Sequence, residues 1–274
     1  MTRESLEDLE VNLLLEAVHG HYGYDFRQYV RASIKRRLWR RAWLEGVETI
    51  SALQDRILHE PTCMDRLVVD LAVNVTSMFR DPGFYRAFRD KVIPMLRTYP
   101  FIRIWNAGCS SGEETYSLAI MLEEAGLYDR ARIYATDIND NVLHRAREGL
   151  FPLDKMRDYT ANYLQAGGVR EFSSYYEADS TGARVRRSLG RNIVFAQHNL
   201  ASDRSFNEFH AIVCRNVLIY FDRNLQDRVH DLFFDSLVTF GALALGEKES
   251  IRFTRHVAAY EELDPGQRLY RKVV

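Results

Sequence analysis

Through the first ~70 residues, apolar positions recur at the 3.6-residue spacing of helices. Val11, Leu14, Leu15 and Val18 form one stripe, Val30, Ile34 and Leu38 a second, and Leu53, Ile57 and Leu67 a third. Gly20, Gly23 and Gly46 punctuate them as turns would. No alternating β-type segment interrupts, so the pattern predicts a small all-α domain over 1–72.

After Pro100 the pattern changes to short apolar runs alternating with helical stretches. Strands are predicted at 101–105, 132–136, 192–195, 210–214, 241–245 and 268–274, with helices at 116–123, 141–148 and 224–240. Strands alternating with helices imply βαβ units and a mostly parallel sheet covered on both faces. The expected class is therefore α/β, a Rossmann-like sheet over 73–274. Residues 168–191 break the rhythm: Phe172–Tyr176 and Ala183–Arg186 flank Gly182, which predicts a small hairpin inserted in the sheet.

Composition narrows the chemistry. Among 274 residues, three scattered cysteines exclude a disulfide framework or a cysteine-built zinc site and fit a reducing cytosol. The eight histidines form no His-x-x-x-His pair, so no metal is expected. A net charge of −1 is no nucleic-acid polyelectrolyte. The start is polar, and no apolar run approaches bilayer-spanning length, so a soluble cytoplasmic protein without membrane insertion is expected.

Gly108-Cys-Ser-Ser-Gly112 falls between a strand and a helix, where α/β sheets present ligands with a close backbone and free N–H groups. An ordinary glycine-rich turn reads the same way. No Gly-Lys-Ser/Thr follows, and Glu113-Glu114 would repel a pyrophosphate. A phosphate-free, cationic ligand fits better. Asp137, ending the second strand, can accept both hydroxyls of a ribose or simply cap the next helix. A ribose-bearing, phosphate-free cation describes S-adenosylmethionine.

Further segments identify a family. Asn74-Val-Thr-Ser-Met-Phe-Arg80, Gly108-Cys-Ser-Ser-Gly-Glu-Glu114, Ala135-Thr-Asp-Ile-Asn139, His198-Asn-Leu200 and Cys214-Arg-Asn-Val-Leu-Ile-Tyr-Phe221 stand in characteristic order and spacing. The chain resembles the CheR-type chemotaxis receptor methyltransferases over almost its whole length. The resemblance implies an all-α domain and a methyltransferase domain with a β insertion. It also implies methyl transfer from S-adenosylmethionine to glutamate carboxylates on the cytoplasmic helices of methyl-accepting receptors, releasing S-adenosylhomocysteine. By matching positions, Asn74, Thr76, Arg80, Gly108, Glu114, Asp137, Asn199, Leu200, Asn216 and Val217 would line the cofactor site. Asp137 would hold the ribose, Asn199 and Leu200 would meet the adenine edge, and Arg80 and Tyr220 would lie nearest the transferred methyl. A monomer is the expected state.

Within fifteen residues, Arg27, Arg31, Lys35, Arg36, Arg37, Arg40 and Arg41 occur without an acidic residue. The run reads either as a solvated face or, with the resemblance, as a docking surface of a receptor-recognition domain for a glutamate-rich helix. Trp39 and Trp43 are expected to pack. The family's Gly-His-Ser-Glu stretch is replaced by Gly246-Glu-Lys-Glu-Ser250, which bears on substrate details. The alternatives are a methyltransferase of another substrate class and an idle cofactor-binding scaffold. Neither an Asn/Asp-Pro-Pro-Tyr segment nor a Pro-Cys nucleophile supports base methylation.

Overall fold

The computed structural model describes residues 3–71 and 76–274. The chain divides into two units, the first comprising Met1–Val73, Asn199–Asp203 and Tyr220–Val229, the second comprising Asn74–His198, Arg204–Ile219 and His230–Val274.

The first unit is built on four helices, α1 (Arg3–Tyr22), α2 (Arg31–Leu44), α3 (Ile50–His59) and α4 (Pro61–Leu71). Val11, Leu14, Leu15, Val18, Ile34 and Leu38 are buried as their periodicity predicts. Val30 departs from its stripe, because it precedes α2 and is exposed. The third stripe is two helices: Leu53 and Ile57 bury from α3, Leu67 from α4. Thr49 caps α3 by accepting the Ala52 N–H, and Pro61, lacking an N–H, starts a new helix where the old one ends. A distant segment completes the unit: Val30 N–H donates to the Tyr220 carbonyl and Asp222 N–H to the Gln28 carbonyl, with Tyr29 and Phe221 bridged. The sequence-based split at 72/73 placed 220–229 with the sheet.

The basic run of α2 is balanced inside this unit. Arg27 pairs with Asp25 and Glu16, and Lys35 lies 2.8 Å from Asp8. Arg31 reaches Asp8 and Asn12, and the buried Arg41 binds Glu45 and Asp70. The face formed by Arg27, Arg31 and Lys35 therefore meets the acids of α1. Arg40, though exposed, pairs with Asp70 at 2.9 Å, and Arg36 is exposed. The two tryptophans also depart from expectation: Trp43 is 77% exposed, and Trp39 donates its indole N–H to Glu7.

In the second unit, α5 (Pro82–Ala87), a π turn at Phe88–Val92 and α6 (Ile93–Leu96) lead into β1 (Ile102–Ala107). Then come α7 (Glu113–Glu124), β2 (Ala131–Asp137), α8 (Asp140–Glu148), β3 (Leu150–Phe151) and α9 (Met156–Gln165). The chain continues through β4 (Tyr176–Asp179), β5 (Gly182–Val185), α10 (Arg187–Gly190), β6 (Ile193–Gln197) and β7 (Phe209–Cys214). It ends with α11 (Arg223–Ser236), whose residues up to Val229 are counted with the first unit, and with β8 (Leu237–Leu245), β9 (Tyr260–Asp264) and β10 (Leu269–Lys272).

The main sheet has the order β6-β2-β1-β7-β8-β10-β9, parallel from β6 to β8 with β10 and β9 antiparallel at one edge. The all-buried β7 shows why its sequence is continuously apolar rather than alternating. The insertion forms a separate three-stranded sheet, β3-β5-β4. It recruits Leu150–Phe151 from outside 168–191, and residues 172–175 are a 3-10 turn rather than a strand. Residues 237–240, expected as helix, open β8: Val238 and Thr239 are β-branched, and Phe240 bends the chain at φ 67°. β9 was not expected.

Candidate functional site

The strand order reverses at β1, which feeds β2 on one side while β7 returns on the other. At such a switch point the loops leaving adjacent strands diverge and open a crevice at their carboxyl ends. Two sequence motifs meet there: the glycine turn after β1 and the Arg215-Asn216-Val217 segment after β7.

The glycine turn is held by Asp137. One carboxylate oxygen accepts the Ser110 N–H at 2.9 Å, the other the Asn139 N–H at 3.0 Å. Gly108 and Cys109 N–H groups both donate to the Thr136 carbonyl. Burial pushes the Asp137 pKa up, while the N–H groups of Asn139, Ser110 and Ile138 oppose that shift. The helix cap belongs to Asn139, whose side chain accepts the Asn141 N–H. Asp137 is therefore a brace for the turn, with a carboxylate at the strand end where a ribose would be held.

Gly108 has φ +74°, and a Cβ there would meet Val217 Cγ2 at 2.4 Å. Gly112, at φ +94°, lies against Ala146. Both positions need the missing side chain. The Asn139 Nδ2 is buried and has no protein partner. A braced turn without side-chain bulk, a carboxylate at the strand end and an unsatisfied amide fit a nucleoside-bearing cofactor.

The two consecutive glutamates separate. Glu113 takes the Ser111 hydroxyl at 2.7 Å and lies 3.4 Å from the Tyr159 hydroxyl, and burial raises its pKa. Glu114 accepts from Asn106 Nδ2 at 2.9 Å and from Arg215 Nη1 at 2.7 Å. The charge expected to attract a cation is thus balanced within the protein. Arg215, 3% exposed in its side chain, also binds Asp81 at 2.8 Å and the Arg80 carbonyl at 3.3 Å. Its guanidinium lies 4.0 Å from the centroid of the Phe84 ring. Sequence reasoning passed over Arg215, although it stands inside the Cys214–Phe221 motif.

Glu249 was missed as well. Its carboxylate accepts the backbone N–H groups of Asn216, Val217, Leu218 and Gly246 at 2.6–3.1 Å. Beyond β8, a pocket of about 250 Å³ is lined by Asp81, Phe84, Arg215, Glu247 and Gln267 among others. Its two carboxylates make it unsuited to a free carboxylate acceptor.

The structure thus brings together Gly108, Glu114, Asp137, Asn216 and Val217, with Arg80 tied in through its carbonyl. The Arg80 side chain is 39% exposed. Thr76 is half-buried. Asn74 lies outside the described residues. Asn199, Leu200 and Tyr220 belong to the first unit. There Asn199 accepts the Ala201 N–H, and the Arg37 guanidinium lies 5.1 Å from the Tyr220 ring centroid. All three cysteines are buried, and burial pushes the Cys109 and Cys214 thiols well up, so neither is an activated nucleophile.

Comparison with known proteins agrees with this geometry. Residues 74–264 match the family described as CheR methyltransferase, SAM binding domain, and residues 9–72 match its all-alpha domain. A Pseudomonas putida protein provisionally named methyltransferase Cher3 is 48% identical over 99% of this chain and 100% of its own length. Chemotaxis protein methyltransferase 2 of Pseudomonas aeruginosa is 33% identical over 81% of this chain and 79% of its own. The chemotaxis protein methyltransferase of Listeria monocytogenes is 29% identical, covering 90% and 92%. With both family domains matched in order over residues 9–72 and 74–264, the chain belongs to the CheR methyltransferase family.

Proposed function

We propose that the protein methylates glutamate side chains of chemotaxis-type receptors, giving glutamate methyl esters. The observation that carries this reading is the Asp137-braced glycine turn in a chain whose relatives are named chemotaxis protein methyltransferases. Asp137 would take the ribose hydroxyls, and Gly108, Asn216 and Val217 would provide close backbone and apolar contact. Thr76 and Glu114 would complete the lining.

Bound S-adenosylmethionine supplies a methyl on a sulfonium: a carboxylate oxygen forms the new bond, and the electron pair of the broken bond stays on sulfur. A glutamate is already ionised at neutral pH, with a solution pKa of about 4.3, so no strong base is needed. The protein's task is positioning. The Arg80 guanidinium can grip a carboxylate at two points.

The deciding experiment offers labelled S-adenosylmethionine with receptor cytoplasmic fragments and, separately, RNA. Base-labile label on receptor supports the reading. Base-stable label on RNA points to another substrate class, and no label on either points to an idle scaffold.

A further inference from the structure

We propose that Glu249 is a positioning residue for cofactor binding, fixing the Asn216–Leu218 turn so that Val217 closes against Gly108. The inference rests on the cofactor reading given above.

Three consecutive N–H groups, those of Asn216, Val217 and Leu218, converge on this one carboxylate, and the Gly246 N–H joins them. Asn216 sits at φ 61°, so the turn adopts a backbone conformation that side-chain-bearing residues rarely take. An anion ringed by N–H groups is the strong form of hydrogen bond and can hold such a turn. Glu249 is 4% exposed and is well placed for that role.

The surroundings are shaped around the carboxylate. A Cβ on Gly246 would come within 2.7 Å of Glu249 Oε2 and 2.8 Å of the Asn216 nitrogen. Gly246 and Glu249 therefore form one device, in which the glycine admits the carboxylate and the carboxylate shapes the turn. Its effect reaches the crevice through Val217, which leaves no space for even a methyl group on Gly108.

The test is calorimetric titration of S-adenosylhomocysteine into wild type, Glu249→Gln and Glu249→Asp, with melting curves of the ligand-free proteins. An amide presents NH2 to backbone donors, so Glu249→Gln should weaken binding at least tenfold. Glu249→Asp keeps the charge but falls short of the turn and should recover part of the affinity. In turnover, the KM for S-adenosylmethionine should rise while the KM for the acceptor holds. A folded Glu249→Gln that binds within twofold of wild type overturns the proposal. Absence of binding by wild type would instead overturn the cofactor reading.

Should Glu249→Gln fail to fold, amide exchange on wild type decides. Protection of the Asn216, Val217 and Leu218 amides that deepens with S-adenosylhomocysteine supports the device. Fast exchange of these amides with and without ligand rejects it.

Discussion

Val217 lies so close over Gly108 that the glycine's missing side chain is part of the contact: a Cβ would stand 2.4 Å from Val217 Cγ2. The two residues come from loops leaving neighbouring strands, and their meeting closes one side of the crevice. Gly108→Ala adds both this overlap and the cost of φ +74°. A loss of about 2–4 kcal/mol in stability is expected, since overpacking and backbone strain each cost ~1–3 kcal/mol. Val217→Ala in the same chain should return the overlap share but not the strain. Urea denaturation of the two single variants and the double variant checks this, and simple additivity would contradict the contact.

Asp137→Ala should weaken S-adenosylhomocysteine binding roughly 10–150-fold, the worth of a lost charge-assisted hydrogen bond. Because both oxygens of Asp137 hold backbone N–H groups, a lower melting temperature is expected too. Calorimetry and melting on the same preparation separate the two effects. Full affinity in a folded variant would remove Asp137 from the site.

Arg215→Met should destabilise the second unit by about 3–5 kcal/mol, because removing one partner of a buried pair strands the other. The stranded group is Glu114, 13% exposed in its side chain. Arg215→Lys should rescue poorly, since one ammonium cannot serve Glu114, Asp81 and the Arg80 carbonyl together. Denaturant midpoints of both variants provide the measurement.

Glu45 gives the helical unit a defined acid sensitivity. Arg66 first, then Arg41, pulls its pKa from 4.5 to about 2 against the opposing effect of burial. The folded value lies below the unfolded one, so the stabilisation is present above pH 4.5 and lost as pH falls toward 2. Glu45→Gln should therefore lower the melting temperature at pH 7, and the gap from wild type should shrink progressively below pH 4.5. An equal gap at pH 7 and pH 2.5 would show that the charge is not responsible.

Reversing Arg31 and Lys35 together should destabilise the first unit, because both face Asp8 of α1. Reversing Arg36, which is exposed, should slow receptor methylation in a salt-dependent way and leave melting nearly unchanged. Melting curves and methylation rates across ionic strength distinguish the two variants.

The alternation of strands and helices was readable because buried parallel strands leave short apolar runs bounded by turns. The border at 236/237 was not, since an apolar run such as Leu237-Val-Thr-Phe240 carries no period that separates helix from strand. In the site, the glycine turn and Asp137 announced themselves through local spacing. Arg215 and Glu249 did not: their partners stand 101 and 33 positions away, and only the fold brings them together. The counter-charges that Asp8 and Asp70 give the basic run were hidden for the same reason. Trp43 misled because helical spacing fixes which residues share a face without fixing what covers that face.

The backbone exchange between Gln28–Val30 and Tyr220–Asp222 has a consequence for modularity. Contiguous domains can be traded between relatives by one splice, but this helical unit is finished by a clasp encoded far downstream. A chimera swapping residues 1–72 alone would set a foreign Tyr29 equivalent against the resident Phe221, whose ring centroid here lies 4.9 Å away. Grafts that carry residues 220–229 along with the helices keep the clasp matched, and for recombination these two stretches behave as one inheritable piece.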